Sequence, residues 1–364
     1  MRVRILRRTT EWTASTSADA TSNAMPDTRR RVWWYALGYF ACYVPYSGLT
    51  KMLSDGRLGA RISGLSLLPL TTISSAFAMF ATISALGWWK YASRAHIGRI
   101  AIAAPTRWTF LSGVATSMIV VSTTLAYTFA NVSIPLVMLL MRGGVLLLAP
   151  VVDALNGRHV ARASRIALVL SLVAMGDTVL GIRDGHVPWL CGVDIAIYLF
   201  AYFARLRFMS HLAKTRDDAQ MKRYFVEEQM VATPVAVVLI AAIAIFGGQT
   251  HLSVELARGY DVLSHPALGW VLLVGVLSQG TGVFGGLLLL DARENSFCVP
   301  LNRSSSVLAG IAASIALALI VGSALPTVYE LVGAALLVVA MIVLWAAPDH
   351  PPASLPPAGP RTAA

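Results

Sequence analysis

Residues 133–158 read SIPLVMLLMRGGVLLLAPVVDALNGR. From Ile134 to Val152 a single charged side chain, Arg142, interrupts an apolar run. At about 1.5 Å per helical residue such a run reaches across roughly 30 Å, the thickness of bilayer hydrocarbon. No soluble core needs a segment of this length and purity. The stretch predicts a membrane-spanning helix with a cation near mid-depth.

Working outward, comparable runs recur along the chain. Spans are predicted near residues 33–52, 63–89, 108–128, 132–153, 166–183, 189–210, 226–247, 267–290, 297–321 and 327–347. Composition agrees: 56% of the 364 residues are hydrophobic and 13% charged, and the mean hydropathy is +0.67. A soluble domain carries about a quarter charged residues, so here the surface itself must be apolar. Eight of the nine tryptophans (Trp33, Trp34, Trp88, Trp89, Trp108, Trp189, Trp270 and Trp345) fall at span ends, where indole rings prefer the interface.

The net charge of +11 does not point to nucleic acid, because the charges lie between apolar runs and read as topology signals. Basic groups at Arg29–Arg31, Lys90–Arg107, Arg158–Arg165 and Lys214–Arg223 share one side of a ten-span arrangement. Lys51, Arg57, Arg61, Arg183 and Arg258 lie on the other. The bias predicts both termini in the cytoplasm. Only four of the 29 basic residues are lysine, which points to a GC-rich genome and a bacterial plasma membrane.

Cys42, Cys191 and Cys298 lie within or near spans, which argues against a disulfide framework or a zinc site. The histidines fall in predicted loops or the C-terminal tail, so no metal site or His relay is expected at membrane depth. No cofactor is expected. Residues 1–31 read as a basic, disordered tail without a secretory h-region, with Met25 an alternative start; 349–364 read as a second tail.

Pro135-Leu136 in the fourth span and Pro300-Leu301 in the ninth are 165 residues apart, and the same offset relates Gly157 to Gly322. An odd number of spans per half makes two such halves inverted. The expected architecture is all-α and polytopic, with residues 32–184 and 185–348 as two inverted five-helix repeats.

Residues 322–344, GSALPTVYELVGAALLVVAMIVL, and residues 133–158 carry a likeness. The chain resembles the drug/metabolite transporter superfamily, which includes EamA-like exporters, nucleotide-sugar transporters and phosphate translocators. The first segment is similar to that group's last loop and tenth helix, the second to the end of its first repeat. The EamA pattern has a glutamate where Ser323 stands. The resemblance implies a ten-helix secondary transporter, not an enzyme.

Several residues are candidates for chemistry. Arg142 lies about 15 Å deep, where a charge costs about 3 kcal/mol or more. It reads either as an anion-binding residue in a central cavity or as a structural cation paired with a buried carboxylate. Arg303, in the ninth span, is expected to face the same cavity, with Asn302 and Ser304 beside it, or else to reach cytoplasmic water. Tyr46 and Lys51 belong to YVPYSGLTK (residues 43–51), where Pro45 breaks a helix hydrogen bond. This is either a cavity-lining break or a kinked outer end with a snorkelling Lys51.

Asp177 and Glu227 are the expected coupling residues. A carboxylate in apolar surroundings readily takes a proton; alternatively Asp177 pairs with Arg142. One of Glu227 and Glu228 is expected to face cytoplasmic water. GTGVFG, residues 280–285, fits a dinucleotide fingerprint but lies inside an apolar span, where small residues serve helix packing.

The function expected is alternating-access transport of a small organic anion, with the lipid bilayer as surroundings; a homodimer is compatible with it. The rival readings are a transporter-fold sensor or assembly protein and a membrane-embedded enzyme. The latter needs an interfacial His/Asp/Glu cluster, which the sequence lacks.

Overall fold

The computed structural model describes residues 17–59, 61–97, 100–126, 134–180, 189–215, 217–323 and 325–347. Among them eleven α-helices follow in chain order: α1 (Ser17–Ser54), α2 (Gly64–Ala85), α3 (Arg107–Ala126), α4 (Ile134–Leu155), α5 (Arg162–Leu180), α6 (Trp189–Leu212), α7 (Asp218–Phe246), α8 (His251–Asp261), α9 (Leu268–Leu289), α10 (Asn295–Val321) and α11 (Val328–Ala346). A two-stranded antiparallel hairpin, β1 (Arg94–Ile97) and β2 (Ile100–Ala103), joins α2 to α3.

Six helices, α2, α6, α7, α9, α10 and α11, are long and apolar enough to cross a bilayer. Large apolar side chains such as Phe77, Val169, Phe200, Val238, Ile245 and Leu319 are exposed around the bundle. A soluble monomer does not tolerate so much exposed apolar surface. The chain is a multi-pass membrane protein.

Between helices in lipid there is little hydrophobic gain, so close approach and hydrogen bonds hold them together. Glycine supplies the approach at two interfaces. A β-carbon on Gly113 of α3 would lie 2.5 Å from Cβ of Val231 on α7. One on Gly275 of α9 would lie 2.5 Å from the carbonyl oxygen of Thr71 on α2. The other principal contacts pair α1 with α9 and α10, α3 and α4 with α6, α2 with α7, α4 with α10, and α5 with α11.

Three elements depart from the sequence reading. First, α1 reaches back to Ser17, into the segment expected to be a disordered tail, because a helix formed in the membrane continues through polar residues beyond it. Second, the stretch before α3 forms the hairpin, whose strands are too short to read against the neighbouring spans. Third, α8 occupies an expected loop. Thr250 caps it, its hydroxyl accepting from Ser253 N, and Leu256 and Gly259 bury one face against α2.

Glu255 on α8 accepts hydrogen bonds from the hydroxyls of Ser63 and Ser66 at the start of α2. The Ser63 bond foremost, with Ser66 and Arg258, holds its carboxyl below the usual carboxylate range. A negative charge there also suits the positive end of the α2 dipole.

Candidate functional site

A cavity of about 420 Å³ lies between α1, α2, α3, α6, α7, α9 and α10. Thr50 and Gly64 line it toward the end of the bundle carrying α8. Its floor, toward the hairpin end, includes Arg205, Leu289, Asn302 and Arg303. The walls are rich in hydroxyls and amides, among them Tyr46, Thr71, Ser75, Thr123, Gln229 and Gln279, and among the described residues no carboxylate lines the cavity. Three glycines of the GTGVFG region admit close neighbours. A β-carbon at Gly280 would meet Cys42 Sγ at 2.7 Å, one at Gly285 would meet Tyr39 at 2.9 Å, and one at Gly286 would meet Phe225 at 3.1 Å. These are helix-packing contacts.

The two cations of the floor are held differently. Arg205 donates from Nε to Glu228 Oε1 at 2.8 Å and from Nη2 to Oε2 at 3.2 Å. Oε1 also accepts from Ser112 and Thr116, each at 2.9 Å. That charge is neutralised. Arg303 has no carboxylate within ion-pair distance among the described residues, and its buried Nε has no hydrogen-bond partner. Its guanidinium carbon lies 4.9 Å from the centre of the Tyr202 ring, a cation–π contact. The net electrostatic character of the floor is therefore positive.

Arg142 does not line the cavity but belongs to the same cluster. Its Nη2 donates to Tyr43 Oη at 3.3 Å, and both Arg142 and Arg303 act electrostatically on Tyr39 and Tyr198. Tyr39, Tyr43 and Tyr46 form a ring-to-ring series along α1, each step 5.6 Å. Each arginine is the ninth residue of its helix.

Of the other candidates, Tyr46 and Asn302 line the cavity. Ser304 is buried off its wall, with an unpartnered hydroxyl. Lys51 is largely exposed and pairs with Asp55 at 2.9 Å, the snorkelling arrangement rather than the cavity one. The side chain of Asp177 lies outside the described residues.

Neither Glu227 nor Glu228 faces water; both are fully buried. Glu227 accepts from Ser93 N and Oγ, Thr106 N, Thr109 Oγ1 and Arg223 Nε. It clasps both ends of the hairpin to α7, so all its acceptor capacity is structural. The sequence reading missed Arg205, Tyr39 and Tyr202. The i, i+4 spacing of Asp194, Tyr198 and Tyr202 on one face of α6, continued by Arg205, was the available signal.

A dense hydrogen-bond layer lies below the floor. Asp153 of α4 accepts from Asn295 N and Nδ2, each at 2.8 Å, and from Ser296 N and Oγ, each at 2.7 Å. It thereby caps the N-terminus of α10, whose own N-cap, Glu294, makes no side-chain cap bond. Lys214 donates to the carbonyls of Asp291 and Arg293. Arg158 donates to those of Ala292, Ser210 and Lys214. This layer ties α4, α6 and α10 together at the hairpin end.

No family model and no curated protein matches the sequence. The fold has counterparts: 26 chains of known structure match it. One, described only as "Crystal structure of protein", aligns with a TM-score of 0.50 and 15% identity, covering 85% of this chain and 97% of its own. At that identity the likeness concerns the fold alone.

Proposed function

We propose that the chain is a secondary transporter of a small organic anion, built from ten spans in two inverted repeats. The observation that carries the reading is Arg303: a cation in the floor of a polar cavity, held by the ring and a hydrogen bond of Tyr202, with no carboxylate at ion-pair distance among the described residues. A buried charge without a counterion is costly, and an anionic solute is the counterion that relieves it. Arginine offers phosphate or carboxylate a two-pronged donor fork. The cavity volume lies in the range of small-molecule sites.

Helix packing supports the repeat. Exchange α1 with α6, α2 with α7, α3 with α9, α4 with α10 and α5 with α11. The α1–α9 contact becomes α6–α3, α1–α10 becomes α6–α4, and α2–α9 becomes α7–α3; α2–α7, α4–α10 and α5–α11 map onto themselves. Each of these contacts is present.

Glycines follow the same exchange. Gly157 after α4 and Gly322 after α10 have φ of 64° and 67°, and Gly87 after α2 and Gly248 after α7 have 62° and 66°. The tight glycines Gly113 (α3 on α7) and Gly275 (α9 on α2) are likewise counterparts. In this arrangement the hairpin end is cytoplasmic and the Asp153–α10 layer lies between the cavity and that side, so transport requires the layer to part.

The test is uptake into proteoliposomes of phosphorylated and carboxylated metabolites, chosen first by their ability to raise the melting temperature of the purified protein. Saturable uptake of one such anion is expected; stabilisation and uptake confined to cations or neutral lipids would sink the anion reading. Reporter fusions at His159 are expected to read cytoplasm and those at Ser253 the opposite side. The same side for both excludes the ten-span arrangement.

A further inference from the structure

Five carboxylates are buried among the described residues: Asp153, Asp194, Glu227, Glu228 and Asp291. Four are committed. Asp153 caps α10, Glu227 clasps the hairpin, Glu228 holds Arg205, and Asp291 accepts from Arg293 N and lies 3.5 Å from its guanidinium. Asp194 is the exception. It is 3% exposed, in the second turn of α6, and receives one hydroxyl, that of Ser122 on α3. Its Oδ2 has no partner.

Among the described residues no cation pairs with Asp194. α3 presents Ser122. On α6 itself Cys191 and Tyr198 lie about one turn to either side. Of the two charged residues of α4, Arg142 acts on Tyr198 rather than on Asp194, and Asp153 is bound to the start of α10. On α7 Glu228 is bound to Arg205. A charged carboxylate at this depth with one donor competes poorly with its neutral acid.

The position is not remote from the cavity. Ile119, Val120 and Thr123, neighbours of Ser122 on α3, line the wall. Along α6, Tyr198 hydrogen-bonds Tyr202, their rings 4.9 Å apart, and Tyr202 faces Arg303. One face of α6 thus carries polar groups from Asp194 to the anion-binding floor.

We infer that Asp194 is a proton-exchange site, taking a proton on Oδ2 and returning it to water as the bundle changes conformation. The step forms one O–H bond, turns the carboxylate into the neutral acid, and leaves every other bond unchanged. Within the transport reading, on which its purpose rests, the proton is the coupling ion. The pairing of a titratable site on α3–α6 with a fixed cation on α10 joins proton and anion in one unit.

The experiment needs no solute. Acid-minus-alkaline infrared difference spectra of the full-length protein in lipid nanodiscs read the carbonyl stretch of a buried carboxylic acid. The wild type is expected to show one such band, sensitive to deuterium exchange, and Asp194→Asn to lack it. Ser122→Ala keeps the acid but removes the hydroxyl that donates to its charged form. Its band is expected to persist to a pH higher by about one unit.

Absence of the band in the wild type, its survival in Asp194→Asn, or an unmoved titration in Ser122→Ala would each overturn the assignment. If Asp194→Asn does not fold, the Ser122→Ala titration decides. The two readings fail separately. No uptake of any anion with the expected spectra removes transport and leaves the proton site; anion uptake with a surviving band does the reverse.

Discussion

Arg303→Met is expected to weaken binding of the transported anion roughly hundredfold, because truncating one side of a desolvated charge pair costs about 3 kcal/mol. The same variant is expected to melt no lower than the wild type when no solute is present. Removing a buried cation with no carboxylate partner among the described residues also removes its desolvation cost. Lower affinity with undiminished stability separates a binding cation from a structural one, which would lose both together. Arg303→Lys keeps the charge but not the fork, and is expected to lose about tenfold in affinity. The measurement is ligand-dependent thermal shift on the three proteins. A large drop in melting temperature of the empty Arg303→Met protein, or unchanged affinity, removes Arg303 from the site.

Arg142 tests how far the cluster acts as one unit. It touches Tyr43, not the cavity wall, yet shares Tyr39 and Tyr198 with Arg303. Residues acting through a shared set of neighbours show coupled energies. The tyrosines are the shared set, and their hydroxyls are placed to transmit a change at either arginine.

The helices were legible because they are long apolar runs, many of them bounded by tryptophan or basic residues: a helix lies in every predicted stretch, and six of these helices are long and apolar enough to cross a bilayer. What failed to show was structure on a smaller scale. The α8 helix has a threonine cap and one apolar face, signals of a few residues that the neighbouring spans overwhelm. Among the candidates, Arg303, Asn302 and Tyr46 line the cavity; what drew attention to them in the sequence was charged or polar groups inside apolar spans, which are costly there.

The partners of Glu227 and Lys51, the hairpin and Asp55, are visible only in three dimensions; for Lys51 the partner matches the snorkelling alternative. The committed state of four buried carboxylates was equally invisible, and it is what isolates Asp194. Depth along a span is written in the sequence; the side of the helix a charge occupies, and who satisfies it, depends on packing between helices.

The Arg205–Glu228 pair is expected to show the energetics of that packing most directly. Glu228→Gln preserves shape and one acceptor oxygen, but leaves Arg205 as a buried cation without its counterion, and a loss of about 3–5 kcal/mol follows. Ser112 and Thr116 still find the amide oxygen, so the loss reports the charge rather than the hydroxyls. Arg205→Gln added to Glu228→Gln removes the orphaned charge, and the two amides can hydrogen-bond across α6 and α7. The double variant is therefore expected to be more stable than Glu228→Gln alone, a reversal that simple addition of two damaging changes cannot produce. Equilibrium unfolding in mixed detergent on the wild type, both singles and the double gives the coupling energy. A double variant less stable than either single would mean that Arg205 is held by the tyrosines Tyr202 and Tyr224 and by packing, with Glu228 serving chiefly as the acceptor for Ser112 and Thr116.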